Sequence, residues 1–592
     1  MAERAEAEAR AAAREPHAQP SFMRALCMGD IEETLIFPYP ELESSGKEVL
    51  RDVLGSVDAL LSAHEGDFRS WDAKGELPDA FLEELRQFGM FGLVIPEEHG
   101  GLGFGSAAYS RTLQQVAHYD ASVAVTIGAH SSIGMRGLLL YGTDAQKARY
   151  YPELASGKRI AAFCLTEPGS GSDAASIRTS AERDGDHWVL HGEKLWITNG
   201  GIASFFTVFA RTSSEGSGRM TAFLVTPEMG GVSHGPHEDK MGIRASSTTT
   251  VSFDGTRVPA DPVLGEVGAG FKVAMHILNN GRTGLGGGAV GGMKQVIRLA
   301  AQHARDRKQF GRPIGEFGLV KQKLGRMMVD CYAAESVVNL VAHMIDGKTQ
   351  DYAVEAAISK VFASEALWRV ADEALQIAAG LGYMRELPYE RVVRDARIMR
   401  IFEGTNEILR LFIALTAMSD VSSQLQELSS SLKGVFNDPI KGFGVLTGYA
   451  LRQASLRGLT QSKAKLTSIP EGLRDVATTF EEATRELAQG ADRILRKHGR
   501  GIIGKQLATR RLADIMIDLF VLASTLSRVG TNFARAGGQA VEMETAILRS
   551  FSGQAKTRID RNFARIDDNE DELIKALGDH AIDREGYPWD VL

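Results

Sequence analysis

Between Ile160 and Gly270 the apolar period of this chain changes, and afterwards it changes back. From about residue 46, the runs V-L-R-D-V-L-G-S-V-D-A-L-L and F-L-E-E-L-R-Q-F-G repeat apolar residues at helical spacing. Then Phe163–Leu165, Trp188–His191, Lys194–Thr198, Phe205–Ala210, Thr221–Val225 and Thr249–Phe253 read as short strands. The turn pairs Asp184–Gly185, Gly192–Glu193, Asn199–Gly200 and Asp254–Gly255 separate them. From Gly270 the helical period returns. This order predicts a mostly α protein with a compact central β domain, a sandwich or barrel. The expected divisions are an N-terminal arm over 1–45, a helical domain over 46–160, a β domain over 161–270, a helical bundle over 271–420 and a helical extension over 421–592. The length of 592 residues suits about four domains.

Composition narrows the function. A net charge of −8 gives no reason to expect a nucleic-acid partner. Cys27, Cys164 and Cys331 are widely spaced and form no C-x-x-C, so neither a metal knuckle nor a disulfide framework is expected, and a reducing compartment is. No stretch approaches the roughly 18 apolar residues of a membrane span. The first 20 residues are Ala-rich with both signs of charge. Glu3, Glu6, Glu8 and Glu15 suit neither a secretory signal nor a transit peptide, so a weakly ordered helical arm is expected there. This points to bacterial cytoplasm, with a matured mitochondrial protein less favoured because the arm begins at Met1.

Several stretches admit two readings. Gly134 and Gly137 stand three apart in a helical pattern, so they either pack against a neighbouring helix or leave a cavity wall free of side chains. Gly286-Gly-Gly288-Ala-Val-Gly291 matches G-x-G-x-x-G, but a dinucleotide fingerprint must follow a strand and open a helix. This one lies inside a helical stretch and reads as a small-residue packing face. Between Leu432 and Pro470 six basic residues face the single acid Asp438, which fits a solvated linker or a segment lying on an anionic membrane. The stretch I-F-E-G-T-N-E-I-L-R-L from Ile401 places a carboxylate, Glu403, before a glycine and a helix N-terminus. That is an ordinary capped loop or a carboxylate beside an anion-binding end.

Three motifs decide between these readings. A-F-C-L-T-E-P-G-S-G-S-D from Ala162, K-L-W-I-T-N-G from Lys194 and R-I-F-E-G-T-N-E-I-L-R from Arg400 stand in the order found in acyl-CoA dehydrogenases. Over about 50 to 415 the chain resembles that family. Its long extension and the phrase G-F-K-V-A-M-H-I-L-N-N-G-R from Gly270 look most like the very-long-chain branch, which is dimeric and uses its extension at the membrane.

The resemblance implies a site. Phe163, Leu165, Thr166, Gly171 and Ser172 would line FAD, with Ser172 also near the CoA portion. Trp196, Ile197 and Thr198 would lie at the flavin ring. Arg307 and Phe310 would reach FAD in the neighbouring subunit, and Gln376 to Gly380 would close on it across the dimer. Thr405, Asn406 and Glu407 would hold its pyrophosphate. Glu403 would be the general base for the α-proton of a thioester, while the β-hydrogen leaves as hydride to the flavin. The donors polarising the thioester carbonyl would be the Glu403 N–H and a ribityl hydroxyl of FAD. Some relatives carry the base on the helix that here holds Gly281, so Glu403 has no rival. Asn279, Asn280, Gly281 and Arg282, with Phe402 and Gly404, become substrate contacts, and Gly134 with Gly137 tips toward the cavity wall.

The expected activity is FAD-dependent dehydrogenation of long or very long acyl-CoA thioesters to trans-2-enoyl-CoA in fatty acid β-oxidation. An electron-transferring flavoprotein would take the electrons, and a homodimer is expected, with peripheral membrane contact through 432–470 left as the alternative to a solvated linker. The alternatives are an acyl-CoA oxidase and a non-enzymatic respiratory-complex assembly factor on the same fold.

Overall fold

The computed structural model describes residues 21–212, 219–261, 263–347, 351–423, 425–426 and 465–591. The expected helical arm over 1–20 lies outside them, and so does all of the basic stretch 432–470 except its last six residues. The remainder of the segment 1–45 is not a loose arm. Helix α1 (Phe22–Met28) starts on the Ser21 cap and buries Phe22, Met23 and Leu26. Glu355 Oε1 accepts from Ser21 Oγ at 2.6 Å and from Met23 N–H at 2.9 Å. Apolar side chains at helical spacing behind a serine cap supply the burial that a free arm lacks.

The N-terminal domain comprises α2 (Ser44–Ala63), α3 (Phe68–Lys74), α4 (Asp79–Gln87), α5 (Ser106–Ala117), α6 (Ala121–Gly128), α7 (Arg136–Tyr141) and α8 (Asp144–Ala155). A π-helical turn over Ala129–Gly134 interrupts the run between α6 and α7. Ala121–Tyr141 is long and apolar enough to cross a membrane by composition, but 67% of its most apolar stretch is buried inside the protein. His130 pins the π turn to the β domain. Its Nδ1 accepts from Ala161 N–H at 2.9 Å and its Nε2 lies 3.1 Å from the Phe91 carbonyl. Burial drives this imidazole down to about 4, so it is neutral, with Nε2 as the donor.

Gly134 and Gly137 do not line a cavity. A Cβ on Gly134 would sit 2.8 Å from the Ala161 carbonyl carbon, and one on Gly137 would sit 2.8 Å from Leu264 Cδ1 and 3.0 Å from Ile277 Cδ1. Both glycines therefore meet neighbouring structure, and the packing reading holds.

The β domain contains β1 (Ala161–Cys164), β2 (Ser180–Asp184), β3 (His187–Thr198), β4 (Phe205–Arg211), β5 (Met220–Val225), β6 (Val232–His234), β7 (Thr248–Pro259) and β8 (Val263–Leu264). Hydrogen bonding links them in the order β6-β7-β3-β2-β4-β5-β8, with β1 parallel to β4. Trp188 of β3 and Phe223 of β5 have ring centroids 5.8 Å apart, although β2 and β4 stand between them in that order. The sheet therefore folds over on itself around Leu190, Val208, Phe223, Val251 and Phe253, a sandwich made from one continuous sheet. Two expected turns are absent. Gly192–Glu193 lies within β3, paired in regular register with Phe253 and Ser252, and Asp254–Gly255 lies within β7, where a register shift leaves Gly255 without an opposite residue while the β3–β7 pairing continues.

The bundle consists of α9 (Gly270–Asp306), α10 (Gly318–Gly347), α11 (Ala353–Tyr383), α12 (Tyr389–Ile398) and α13 (Asn406–Ala417). In α9 a Cβ on Gly287 would meet the Ser110 carbonyl oxygen at 2.4 Å, and one on Gly291 the Gln114 carbonyl oxygen at 2.2 Å. The glycine run is thus the packing face against α5, as expected. The extension adds α14 (Arg474–His498), α15 (Gln506–Ala536), α16 (Glu542–Asp567) and α17 (Asp571–Asp583). Leu473, Val476, Phe480, Leu487 and Ala491 form one buried face of it, and Leu512, Ile515, Leu519 and Leu526 another. Bundle, extension and α1 share a single apolar core.

Candidate functional site

A cavity of about 710 Å³ lies where α6, the β domain, α9 and the turn before α13 meet. Its walls are set by the fold. Ala124, Val125, Gly128 and Ala129 come from α6 and the start of the π turn, and Gly284, Leu285 and Gly288 from the glycine face of α9. Leu113 joins them from α5, and Ile503, Gly504 and Gln506 come from the extension.

Glu403 projects from the turn before α13. Its backbone is left-handed, φ 54°, and so is Gly404, φ 93°. For a residue with a side chain that conformation costs about 1–3 kcal/mol and persists only where the surroundings impose it. Although the residue faces the cavity, its Oε2 is shielded and has no hydrogen-bond partner. Burial raises the carboxyl to about 7, against the opposing pull of Arg282 and Lys360. A Cβ on Gly281 would sit 3.7 Å from Glu403 Oε2, so the glycine leaves that oxygen room. Arg282 is itself buried, and burial lowers its guanidinium to about 10 against the effect of Glu403. Its Nη1 donates to Asn279 Oδ1 at 2.5 Å while Nε is unpartnered. The second acid in the walls, Asp173, is exposed at the mouth. The site can therefore hold one shielded, proton-accepting carboxyl beside an apolar channel.

The β domain supplies the opposite wall. Phe163, Leu165, Thr166, Gly171 and Ser172 reach it from the end of β1 and the loop beyond, and Trp196, Ile197 and Thr198 from the end of β3. A register shift between Lys194 and Ile197 puts Trp196 at φ 55° and leaves its indole 63% exposed at the cavity, where a strand tryptophan would ordinarily be buried. Leu195 N–H donates to the Thr166 carbonyl at 2.9 Å, tying the two segments together. Cβ atoms on Gly169 and Gly171 would meet nothing within 4 Å. A flat indole beside a cradle of hydroxyls and open backbone fits the ring and polar chain of FAD.

Other expected contacts stand elsewhere. Asn280 faces away and donates to the His276 carbonyl at 3.0 Å and to Tyr352 Oη at 2.9 Å. Asn406 is fully buried outside the cavity. Its Oδ1 accepts from Lys360 Nζ at 2.8 Å, and its Nδ2 donates to Ser364 Oγ and Glu365 Oε1 at 3.1 Å each. Its side chain is committed inside the protein, which corrects its expected place at the pyrophosphate. Thr405 caps α13 by accepting from Ile408 N–H, and Glu407 is exposed. Arg307, Phe310, Gln376 and Gly380 lie on the outside of this chain away from the cavity, Phe310 being 93% exposed. Asn279, Arg282, Phe402 and Gly404 do line it.

Sequence reasoning missed Ala124 and Gly128, small residues one helical turn apart on α6, whose spacing was the available signal. It also missed Lys360, for which an apolar helix gives none.

Comparison with known proteins agrees with this geometry. Residues 51–158, 162–256 and 268–418 match the N-terminal, middle and C-terminal domains of acyl-CoA dehydrogenase, and 471–586 match the ACAD9/ACADV C-terminal domain. The mitochondrial very long-chain specific acyl-CoA dehydrogenase of Bos taurus is 42% identical over 96% of this chain and 88% of its own length. An acyl-CoA dehydrogenase from Bacillus anthracis complexed with FAD superposes with a TM-score of 0.76 at 30% identity, covering 94% of both chains. Butyryl-CoA dehydrogenase from Megasphaera elsdenii gives 0.60 at 35% identity, covering 63% of this chain and 98% of its own. The low weight placed on a mitochondrial setting is not borne out, since the relatives at 42–43% identity are mitochondrial proteins.

Proposed function

The chain belongs to the acyl-CoA dehydrogenase family, and from that premise we propose that it oxidises long and very long acyl-CoA thioesters to trans-2-enoyl-CoA, with Glu403 as the base. The observation that carries the assignment is the shielded, unpartnered Oε2 of Glu403, on a carboxyl raised to about 7, at the wall of an apolar cavity.

FAD is the cofactor of this family and, when bound, supplies the acceptor for the β-hydrogen and its electron pair. Phe163, Leu165, Thr166, Gly171 and Ser172 would hold it from one side, with Trp196 to Thr198 at its ring and Thr405 at its polar chain. Arg307, Phe310, Gln376 and Gly380 would complete the cofactor site from a second copy of the chain. Their exposure away from the cavity suits that role, and a homodimer follows from it.

Glu403 takes the α-proton. Its carboxyl lies near neutral pH, where a base is both ionised and strong enough to act. Among the described residues the Glu403 N–H has no acceptor, so it is free to donate to the thioester carbonyl as negative charge develops there. Arg282, with Asn279 holding its guanidinium, counters the charge on Glu403. The acyl chain runs past Ala124, Gly128 and Gly288, and each methylene buried there contributes roughly 0.8 kcal/mol. An electron-transferring flavoprotein takes the electrons, three buried free thiols suit a reducing compartment, and the extension provides any membrane contact.

Anaerobic titration with acyl-CoAs of graded length tests this. Oxidised flavin absorbance is lost with long chains, and Glu403→Gln binds ligand without bleaching. Bleaching at the normal rate in that variant overturns the assignment. Hydrogen peroxide formed stoichiometrically in air would identify an oxidase instead.

A further inference from the structure

Lys360 of α11 stands beneath the Glu403 turn. Its side chain is fully buried. Its Nζ donates to the Gly404 carbonyl at 2.8 Å and to Asn406 Oδ1 at 2.8 Å, so one ammonium grips both ends of the turn. Asn406 is held in place by Ser364 and Glu365 of the same helix, and its N–H donates to the Arg400 carbonyl at 3.1 Å. Glu365 is bound by both terminal nitrogens of Arg410, at 2.7 and 3.0 Å, and Arg410 Nε donates to Asp514 of the extension at 2.7 Å.

Two things about this arrangement need a cause. An ammonium buried in a dry core is retained only where it is well paired, yet both acceptors of Lys360 are neutral. A left-handed glutamate persists only where its surroundings over-determine it. We infer that Lys360 is a positioning residue for Glu403: by gripping the Gly404 carbonyl and Asn406 it holds the turn so that the Glu403 carboxyl and N–H face the cavity, and its charge balances the carboxylate across the turn. The other charged or titratable groups facing the pair are Arg282 of α9, Tyr109 of α5, Glu365 of α11 and Glu407 of α13. Burial lowers the Lys360 ammonium to about 7, and Glu403 acts in the opposite direction, as expected of partners that share one dry region. The catalytic part of this role rests on the function proposed above.

The test uses purified flavin-loaded enzyme carrying Lys360→Met or Lys360→Gln. The glutamine can still donate to the Gly404 carbonyl but carries no charge, and it is the milder change if the methionine variant folds poorly. The first readout is the carboxylic-acid infrared band that Glu403→Gln abolishes, followed against pH without substrate. Both variants should raise its midpoint by about one pH unit, because a neighbouring cation is lost. The second readout is turnover of palmitoyl-CoA per bound flavin. Lys360→Met should lower kcat at least about tenfold with KM within about threefold, and Lys360→Gln should fall between it and the parent. An unchanged infrared midpoint in Lys360→Gln overturns the inference, as does an unchanged kcat per flavin in Lys360→Met. The infrared arm needs no acyl-CoA, so a wrong role for Lys360 is distinguished from a wrong reaction.

Discussion

Lys194 Nζ lies 2.7 Å from Glu167 Oε1, and both side chains are almost wholly out of water. The pair joins β3, which carries Trp196, to the loop that carries Thr166. Lys194 also donates to the Phe209 and Leu165 carbonyls at 2.7 and 3.3 Å, and Glu167 accepts from Arg178 N–H at 2.5 Å and Thr179 N–H at 3.0 Å. Burial alone would raise the Glu167 carboxyl, but Lys194 and these N–H groups outweigh it and hold it below the usual range. The two motifs of the proposed flavin wall are therefore one buried unit.

Breaking that unit on one side should be severe. Lys194→Met leaves a buried carboxylate unpaired, which costs about 3–5 kcal/mol. The melting temperature should drop, and the ratio of flavin to protein absorbance should fall even at temperatures where the variant is folded. The double variant Lys194→Met, Glu167→Gln should recover part of the stability, since no lone charge remains. Equal stability of the single variant and the parent would show that the pair is not formed.

The pH dependence of turnover follows from Glu403. A base must be ionised to act, and this carboxyl lies at about 7 in the folded protein. With palmitoyl-CoA, kcat/KM should therefore rise about tenfold per unit below pH 7 and level off above it. Glu403→Gln should lower kcat by about 10²- to 10⁴-fold at the plateau while flavin content is unchanged. An acid limb centred near 4.5 would mean that the carboxyl is not desolvated in the working enzyme.

The sequence was most informative where chemistry and local geometry coincide. Phe163 to Ser172, Trp196 to Thr198 and Phe402 to Gly404 are contiguous motifs, and all three reach the one cavity. It was least informative where geometry depends on distant packing. Gly134 and Gly137 fit the pattern of a cavity wall, but Gly134 closes the π turn and Gly137 follows it against the β domain, and Ala124 and Gly128 line the cavity instead. Asn406 has the chemistry of a ligand contact and of a buried clamp alike, and only Lys360, forty-six residues away, decides between them. Likewise Gly192–Glu193 has the composition of a turn, and only the continuing β7 partner makes it part of a strand.

Stability should fall as pH rises through the range where Asp395 ionises. Burial and the neighbouring Asp120 raise its carboxyl to about 7, against the Ile243 N–H that donates to its Oδ1 at 2.5 Å. Arg391 also lowers it, and Asp72 adds to the rise. In the unfolded chain the carboxyl returns to its ordinary range near 4. Between about 4 and 7 the folded state thus holds a proton that the unfolded state has released, so unfolding free energy decreases with pH across that window. The contribution is roughly 4 kcal/mol, present below about 4 and lost above 7. Urea unfolding at pH 5 and pH 8 should show this slope, and Asp395→Asn, which keeps an acceptor for Ile243, should reduce it.

Chain-length preference should respond to Gly128 and not to Gly137. A Cβ on Gly128 would meet only Leu113 Cδ1, at 3.7 Å, which is ordinary contact distance at the cavity wall. Gly128→Leu can therefore fold while its side chain occupies space that the acyl chain needs. Displacing three or four methylenes forfeits about 2–3 kcal/mol of binding, at roughly 0.8 kcal/mol each. The optimum should move to acyl-CoAs shorter by that many carbons, with octanoyl-CoA turnover little changed. At Gly137 even a Cβ comes within 3.0 Å of Leu264 and Ile277, so Gly137→Gln overpacks the contact between the helix and the β domain, at about 1–3 kcal/mol or more. That variant should lose thermal stability while its chain-length profile, measured on the folded fraction, keeps the parent's shape. A shortened profile in Gly137→Gln together with an unaltered one in Gly128→Leu would place the acyl channel on the other side of the π turn.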